Sequence, residues 1–425
     1  RMVKKNNLFL TIKGKKNDGN KFIPDALKKG AKYIISSKVI KKYKKKTIIV
    51  KNEISFLNKF AKLKRKYSLA KIIGITGSAG KTSLKNLIKD LLQNFDETHF
   101  SPKSFNNHFG VPISLSNLNI NNKFGIFEIG MSKAGEINNL SKLIQPHIGI
   151  ITNIGEAHIQ NFKNIKDIAK AKGEILDNIK KGGTIILNRD DKFFSYLAGK
   201  AKFKKIKIVT FGKNKKSDVY PIKTSNNKNL IKMSVKVKDQ YLDLSIKNIN
   251  IYNLLASLAL LKELNLNLEK IKNIFQNYEP TEGRGSKHNI KRYDKKFKLI
   301  DESYNANPLS VRNAISNFNL IKKEQFKKYL ILGDMLELGD KSDMYHKNLS
   351  KVINSSDIDK VFIKGKKTLL TYKNLNKSKR GNIFQNDDDI DLILKSIISN
   401  NDYLMIKGSN ATGLNNLSKK MIKGL

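Results

Sequence analysis

A glycine-rich segment between an apolar run and an amphipathic helix constrains the fold most strongly. Residues 72–75 read Ile-Ile-Gly-Ile, a buried strand, and Thr76-Gly77-Ser78-Ala79-Gly80-Lys81-Thr82-Ser83 follows. Apolar residues then recur at the spacing of one helical face: Leu84, Leu87, Ile88, Leu91 and Leu92. Strand, glycine loop and helix N-terminus together form a binding site for nucleotide phosphates. We therefore predict that Lys81 meets the β- and γ-phosphates and that the Thr82 hydroxyl can bind Mg²⁺.

The match to the common phosphate-loop pattern is incomplete. The pattern G-x-x-x-x-G-K-[ST] asks for glycine at position 75, where this chain has Ile75, with glycines at 74 and 77 instead. The alternative is an ordinary glycine turn between strand and helix. The Gly-Lys-Thr triplet and its strand–helix context favour the phosphate loop.

The charge of the chain permits two interpretations. Of 425 residues, 83 are Lys or Arg and 36 are Asp or Glu, a net charge of +47. Such a balance is typical of proteins that bind nucleic acid, but the lysines are spread over the whole length together with many Asn and Ile. We expect coding bias rather than a specific nucleic-acid partner, and solvent-facing lysines in the runs 41–46 and 202–207. Cysteine is absent, which excludes disulfides and thiolate chemistry.

Strands alternate with helices along most of the chain, which predicts an α/β fold with parallel, doubly wound sheets. We expect three domains, at 1–70, 71–287 and 288–425, with a boundary loop at 279–286. Predicted strands lie at 124–129, 147–154, 297–301, 329–332, 361–363 and 403–406, and 234–246 contains strand-like stretches. Helices are predicted at 250–264, from Pro308, near His346, at 390–398 and at the C-terminus. No apolar run approaches the roughly 20 residues of a membrane span, and we expect a cytoplasmic monomer.

Acidic and imidazole groups follow two predicted strands of the central domain. Glu128 closes the strand at 124–129, and His158 follows the strand at 147–154. Open α/β sheets bind ligands at the carboxyl ends of their strands, and carboxylate oxygens suit Mg²⁺. The alternatives are a structural ion pair for Glu128 and a satisfied surface or core histidine for His158.

Lys172 interrupts an apolar helical stripe. That stripe runs through Ile165, Ile168, Ala169, Ile175, Leu176 and Ile179, and a lysine on a core-facing stripe is uncommon. A snorkelling lysine and a lysine aimed into a polar site explain the position about equally well.

Two segments of the C-terminal third are typical ligand loops. Asp301 and Glu302 end a strand and precede Tyr304-Asn305-Ala306-Asn307-Pro308, where a proline starts a helix. Residues 333–339, Gly-Asp-Met-Leu-Glu-Leu-Gly, follow a second strand. Neither segment defines a chemistry by itself.

Together these segments resemble the Mur ligase family over nearly the whole chain. The resemblance rests on residues 7–10, 17–22, 30–31, 76–82, 106–112, 128–131, 135–137, 304–308 and 333–339. It implies an N-terminal UDP-sugar domain, a central ATPase domain with a P-loop-type parallel sheet, and a Rossmann-like C-terminal ligase domain. The segments at 304–308 and 333–339 point to the branch of the family that adds a dipeptide.

The resemblance also implies roles for individual residues. Thr82, Glu128 and His158 would hold two Mg²⁺ ions, and Lys172 would be carbamylated and act as an anionic metal ligand. Asn253 would contact adenine, Arg284 the phosphates, and Asp301 or Glu302 the ribose. Catalysis would depend on Lys81, Lys172, His158 and Arg284. The substrate-binding residues would be Asn106, Asn107, Tyr304, Asn305, Asn307 and Lys407.

The implied reaction joins D-alanyl-D-alanine to UDP-N-acetylmuramoyl-tripeptide with ATP, through an acyl phosphate, in peptidoglycan synthesis. Alternatives are another amide ligase of the family, which the 304–308 turn disfavours, and a P-loop ATPase that binds polyanions. The chain departs from the family pattern at Asn20, Ile249, Asn410 and Leu414-Asn415, where His, His, Arg and Met-Glu are usual. Arg1 matches the second residue of a Ser-Arg pair, so we expect residues to precede it.

Overall fold

The computed structural model describes residues 3–14, 17–227, 230–322 and 325–424. Arg1, on which the expectation of a longer N-terminus rests, lies outside these ranges. The described strands form sheets of three, nine and six strands that follow one another along the chain. Nowhere in these ranges does a helix combine the length and apolarity that crossing a membrane requires.

The first sheet is small and entirely parallel, in the order β1-β2-β3. Its elements are β1 (Leu8–Leu10), α1 (Ile23–Lys28), β2 (Tyr33–Ser36) and β3 (Thr47–Ile49), and α2 (Glu53–Tyr67) follows. Helix α2 is fastened to the second sheet's domain. The buried Arg65 donates from Nε to the carbonyl of Ile144 at 2.5 Å and from Nη2 to that of Gln145 at 2.9 Å.

The second sheet has the order β12-β11-β10-β9-β8-β7-β4-β6-β5. Its strands are β4 (Lys71–Thr76), β5 (Thr98–Phe100), β6 (Phe124–Glu128), β7 (Ile148–Ile151), β8 (Thr184–Asn188), β9 (Lys207–Phe211), β10 (Val219–Asn227), β11 (Leu230–Val237) and β12 (Gln240–Ile246). Its helices are α3 (Lys81–Leu92), α4 (Gly110–Ser116), α5 (Glu136–Ile144), α6 (Ile165–Lys172), α7 (Phe194–Phe203), α8 (Ile251–Glu263) and α9 (Lys272–Asn277). Strands β4 to β9 are parallel, whereas β10, β11 and β12 form antiparallel pairs.

Helix α3 packs as its periodicity predicts. The five apolar residues of its stripe are at most 1% exposed and join one core with the faces of β4 and β7 and with α8. Each such burial contributes on the order of 1.5–3 kcal/mol. This packing holds the N-terminus of α3 directly against the carboxyl end of β4.

The third sheet has the order β13-β14-β18-β15-β16-β17. Its strands are β13 (Ser286–Arg292), β14 (Lys295–Glu302), β15 (Lys328–Gly333), β16 (Lys360–Lys364), β17 (Arg380–Ile383) and β18 (Tyr403–Lys407). The helices are α10 (Pro308–Asn319), α11 (Ser342–Asn354), α12 (Thr368–Lys373), α13 (Asp387–Ile397) and α14 (Leu414–Lys423). All its neighbouring strands are parallel except the hairpin β13–β14.

The α/β fold with mainly parallel sheets is confirmed, but the structure differs from the sequence prediction in several elements. Helix α6 ends at Lys172 and gives way to a 3₁₀ turn over Gly173–Asn178, so the stripe at 165–179 is not one α-helix. The strand predicted at 147–154 spans only Ile148–Ile151. The sequence analysis did not predict strands β5, β8, β9, β10, β13 and β17. Strand β13 begins just before the proposed boundary at 287.

Candidate active site

Most of the predicted site residues line one large cleft of about 2280 Å³ between the second and third sheets, whereas Thr76, Gly77, Lys172 and Asp301 do not line it. Its walls include the phosphate loop, Glu128, His158, Asn253, Arg284 and Lys407. Strands β4, β6 and β7 end at the cleft, as do β14 and β18 of the third sheet. The cleft is therefore formed where the carboxyl ends of two parallel sheets meet, the usual ligand-binding edge of such folds.

Two glycines shape the phosphate loop. Gly80 caps α3 with φ at 81°, and Gly77 has φ at 148°. A Cβ on Gly77 would lie 1.9 Å from Oγ1 of Thr152, so only glycine allows the loop to approach the end of β7 this closely. The loop thus turns sharply enough to direct the N-terminus of α3 toward the cleft.

The segment after β7 holds the phosphate loop in place. Oδ1 of Asn153 accepts a hydrogen bond from the backbone N–H of Ala79 at 2.9 Å, and Oγ1 of Thr152 donates to the Ala79 carbonyl at 2.7 Å. Ser78 exchanges hydrogen bonds with the backbone of Gly155, donating at 2.9 Å and accepting at 2.8 Å. The loop is consequently preorganised by its neighbour.

Lys81 is held against the backbone of the glycine loop. Its Nζ donates to the carbonyl of Gly77 at 2.6 Å, across the mouth of the loop. Desolvation lowers the pKa of Lys81, the carboxylate of Glu128 raises it, and the charge of Arg284 lowers it. A cation poised in this way can exchange the Gly77 carbonyl for phosphate oxygens.

Thr82 and Glu128 meet beneath the loop. The Thr82 hydroxyl donates to Oε2 of Glu128 at 2.7 Å, and Nδ2 of Asn106 donates to Oε1 at 2.7 Å. Glu128 is 1% exposed, and its contacts in the described residues are hydrogen bonds rather than the ion pair considered as an alternative. Hydroxyl and carboxylate oxygens at the N-terminus of a phosphate-binding helix suit Mg²⁺.

Ser104 joins the two sides of the cleft. Its Oγ lies 3.4 Å from Oγ1 of Thr82, accepts from Nη2 of Arg284 at 3.2 Å, and accepts from the Tyr304 hydroxyl at 3.0 Å. The Arg284 guanidinium stacks over the Tyr304 ring, 4.0 Å from its centroid. Arg284 is thereby directed toward the phosphate loop by groups from both domains.

Asp301 and Glu302, which the sequence could not separate, have different surroundings. Asp301 is 2% exposed, and its carboxylate accepts from the backbone N–H of Gly283 at 2.8 Å and from the Ser303 hydroxyl at 2.5 Å. Glu302 lines the cleft, with Oε2 3.4 Å from Nζ of the buried Lys407. Asp301 is therefore occupied by its own loop, and the geometry favours Glu302 as the group that meets a ribose.

Most polar side chains predicted to bind substrate are already engaged within the protein. Asn307 caps α10 by accepting from the Ser310 N–H at 2.8 Å, and its Nδ2 donates to the carbonyl of Ser78 at 3.4 Å. Asn107 accepts from the backbone at the start of α4, and Asn305 accepts from the N–H of Ala306. Asn253 lies beside Gly80: a Cβ atom placed on Gly80 would be 3.2 Å from Oδ1 of Asn253. Asn307 thus connects the third sheet's domain to the phosphate loop.

His158 is paired with an acidic residue from the other domain. Its Nδ1 lies 2.6 Å from Oε2 of Glu337, and the hydrogen bond to His158 is the main cause of a lowered Glu337 pKa. Both residues have positive φ, at 57° and 63°. The sequence did not identify Glu337 as a site residue, although it belongs to the 333–339 segment that carried the resemblance.

Lys172 is 1% exposed, which rules out a snorkelling side chain with its ammonium in water. Within the described residues it makes no hydrogen bond or ion pair. Burial, and then the charge of Lys81, lower the pKa of Lys172 well below its ordinary value. Burial and the nearby charge of Lys81 therefore both favour the neutral amine of Lys172 over the ammonium.

Two departures from the family pattern contact each other. Nδ2 of Asn415 donates to Oδ1 of Asn410 at 2.6 Å, so the two side chains form a neutral hydrogen bond at the start of the last helix.

Comparison with known proteins agrees with this geometry. The Mur ligase middle domain matches residues 75–261, and the Mur ligase glutamate ligase domain matches residues 289–410. The chain belongs to the Mur ligase family.

Two curated relatives that match nearly the whole chain have the same name. UDP-N-acetylmuramoyl-tripeptide–D-alanyl-D-alanine ligase of Rickettsia prowazekii is 31% identical over 420 residues, covering 98% of this chain and 92% of the relative. The enzyme of that name from Buchnera aphidicola (Acyrthosiphon pisum) is 33% identical over 421 residues, covering 98% and 90%. Among solved structures, MurF from Acinetobacter baumannii superposes with a TM-score of 0.86 at 25% identity, covering 99% of this chain and 91% of that one.

Proposed function

We propose that the chain is the ATP-dependent ligase that joins D-alanyl-D-alanine to UDP-N-acetylmuramoyl-tripeptide. The observation that carries the proposal is the cleft itself, in which a phosphate loop, Thr82 with Glu128, and Arg284 with Tyr304 converge between two domains. The family membership and the shared name of its relatives support the same substrates. The product is the UDP-linked pentapeptide precursor of peptidoglycan, made in the cytoplasm by a monomer.

ATP would bind with its phosphates on the loop 76–83 and its ribose toward Glu302. The backbone N–H groups at the start of α3 and the Lys81 ammonium would contact the β- and γ-phosphates. Asn253, adjacent to Gly80, would lie on the same side as the nucleotide.

The residues of the site fit Mg²⁺. Among the described residues, no group of three or more His, Asp or Glu side chains is arranged to hold a metal ion, so the ion would take few protein ligands. Thr82 and Glu128 would hold one ion and His158 another, with phosphate and water completing the shell, as is common for Mg²⁺ at nucleotide sites. Bound there, Mg²⁺ would offset charge on the transferring phosphoryl group.

Lys172 fits a carbamylated lysine. Carbamylation requires a neutral amine, which attacks carbon dioxide and loses a proton to give an anionic carbamate. The buried, unpartnered amine with a strongly lowered pKa meets that requirement. A carbamate would also place a negative charge beside Lys81, where an ammonium is repelled.

The reaction would proceed by two displacements. A terminal carboxylate oxygen of the tripeptide attacks the γ-phosphorus and ADP leaves, which gives an acyl phosphate. The dipeptide amine then attacks the acyl carbon, loses a proton, and expels phosphate as the amide forms. Lys81 and Arg284 would stabilise charge on the phosphoryl oxygens. Positioning three substrates is the remaining task of the protein.

The N-terminal domain would bind the UDP-sugar. A cavity of about 410 Å³ lies there, lined by Phe9, Leu10, Gly19 and Phe22 of the segments that carried the resemblance.

Oxygen-18 transfer tests the proposal. With ¹⁸O in the terminal carboxylate of the tripeptide, released phosphate should carry one ¹⁸O atom, and the pentapeptide should appear by mass spectrometry in equal amount. Phosphate without the label, or hydrolysis without pentapeptide, contradicts the proposal.

A further inference from the structure

Lys85 is a second buried lysine near the phosphate loop. It lies one turn after Lys81 in α3, and it is 1% exposed. Its Nζ donates to the carbonyl of Ser101 at 2.6 Å and to the carbonyl of Lys103. Both carbonyls belong to the segment between β5 and α4, which we call the 101–106 segment.

The 101–106 segment carries two side chains that contact the site. Ser104 contacts Thr82, Arg284 and Tyr304. Asn106 donates to Glu128 at 2.7 Å. The segment has no regular secondary structure between Phe100 and Gly110, so its conformation depends on such anchoring contacts.

The buried amine has a cost that packing alone does not explain. The pKa of Lys85 is lowered to about 8, mainly by desolvation; the charge of Glu128 raises it, and the charges of Arg284 and Lys89 lower it further. A buried methionine would fill similar space without desolvating a charge. What methionine lacks is the ability to donate to the two carbonyls.

We propose that Lys85 is a positioning residue for the ligation. It fixes the 101–106 segment, which in turn places Ser104 against Thr82 and Arg284, and Asn106 against Glu128. The inference rests on the proposed function, because it concerns the same reaction. It adds a residue that contacts neither nucleotide phosphate nor metal and acts through Ser104.

The experiment compares Lys85→Met with Lys89→Met in the full chain. Lys89 is the next lysine of the same helix face, partly exposed and paired with Asp90 at 2.5 Å, so it controls for loss of a helical lysine. We expect Lys85→Met to lower kcat at least 30-fold and to change the KM for the UDP-tripeptide less than threefold. Lys89→Met should stay within twofold of wild type.

Ser104→Ala shows whether Lys85 acts through the segment. The single variant Ser104→Ala should lower kcat at least fivefold relative to wild type. The double variant Ser104→Ala with Lys85→Met should have a kcat less than twofold below that of Lys85→Met alone. A purely structural lysine would instead give multiplicative losses. Such multiplicative losses, or Lys85→Met with kcat within threefold of wild type, overturn the proposal.

A substitute variant and a measurement on the wild-type chain complete the experiment. If Lys85→Met does not fold, Lys85→Gln replaces it, because its shorter amide reaches at most one carbonyl; a kcat within threefold of wild type then overturns the proposal. Failure of the proposed function is recognised separately, since the wild-type chain would then form no pentapeptide.

Discussion

Lys81 is the residue on which phosphoryl transfer should depend most directly. Its ammonium already spans the loop mouth, 2.6 Å from the Gly77 carbonyl, and its charge acts mainly on the transition state. We expect Lys81→Ala to lower kcat by about 10²–10³-fold or more, with the unfolding midpoint little changed. Steady-state phosphate release measures the loss, and near-normal ligation would contradict the assignment.

Lys172 should act as an anion. Lys172→Ala is expected to be nearly inactive and to regain part of its activity with acetate or formate, which can occupy the vacated ligand position. Lys172→Arg should be inactive, because guanidinium stays charged and cannot form the carbamate. Wild-type activity in carbon-dioxide-depleted buffer should rise on addition of bicarbonate. A fully active Lys172→Arg would show that no carbamate is needed.

Substitutions of the two neighbouring acids at the end of β14, Asp301 and Glu302, should have different effects. Glu302→Gln should raise the KM for ATP several-fold, because Glu302 faces the cleft. Asp301→Asn should cost about 1–3 kcal/mol of stability, since Asp301 accepts from Gly283 and Ser303. ATP titrations and urea unfolding measure the two quantities. The opposite pattern would assign the ribose contact to Asp301.

Contacts between distant residues were beyond sequence reasoning. Ser104 and Tyr304 are 200 positions apart, and their contact depends on how two domains pack. Lys85, by contrast, could have been found, because it breaks the apolar stripe of α3 between Leu84 and Ile88 as Lys172 breaks the stripe after Ala169.

Among the elements, α10 combines a structural cap with a contact to the site. Asn307 accepts from the Ser310 N–H and also donates to the Ser78 carbonyl. Asn307→Ala should lower the free energy of unfolding by about 1 kcal/mol. Asn307→Asp should recover only the part of that loss due to capping, because a carboxylate caps the helix but cannot donate to the Ser78 carbonyl. Circular dichroism during urea unfolding measures both variants. Equal losses in the two would show that capping is not the source of the stability.

Element boundaries followed the strength of the sequence pattern. Helices α3, α8 and α10 were predicted well, since long apolar stripes or a proline at the first turn define them. Strand β13 was missed because it lies at the edge of its sheet and its sequence is mostly polar. Only Ser286 and Ile290 are buried in it. The helix predicted across residue 173 ended at Lys172, where Gly173 begins a 3₁₀ turn whose apolar residues still face the core.

At the scale of the molecule, the two larger domains meet through paired charges and close backbone contacts. Nη2 of Arg312 lies 2.9 Å from both carboxylate oxygens of Glu156. The side chain of Leu309 packs against Gly155, where a Cβ atom on the glycine would lie 2.6 Å from Cδ2 of Leu309. Gln160 packs against Gly339 in the same way, where a Cβ atom on the glycine would lie 3.0 Å from Cβ of Gln160. These contacts surround the cleft, so the arrangement of the domains determines the geometry of the site.

The net charge of +47 should not produce specific binding to nucleic acid. Diffuse lysine contacts give weak association that falls steeply with salt. We expect duplex and single-stranded DNA to bind weakly at low salt and to dissociate at physiological salt, measured by fluorescence anisotropy. Tight binding at physiological salt, or ATP hydrolysis stimulated by nucleic acid, would favour the polyanion-binding ATPase instead.

The measurement that tests the central claim most directly is phosphate release with ATP, UDP-N-acetylmuramoyl-tripeptide and D-alanyl-D-alanine, omitting each in turn. A ligase that binds all three in one cleft should release phosphate at full rate only in the complete mixture, and omission of any one should reduce the rate to background. Steady phosphate release without the dipeptide or without the UDP-tripeptide would contradict the account.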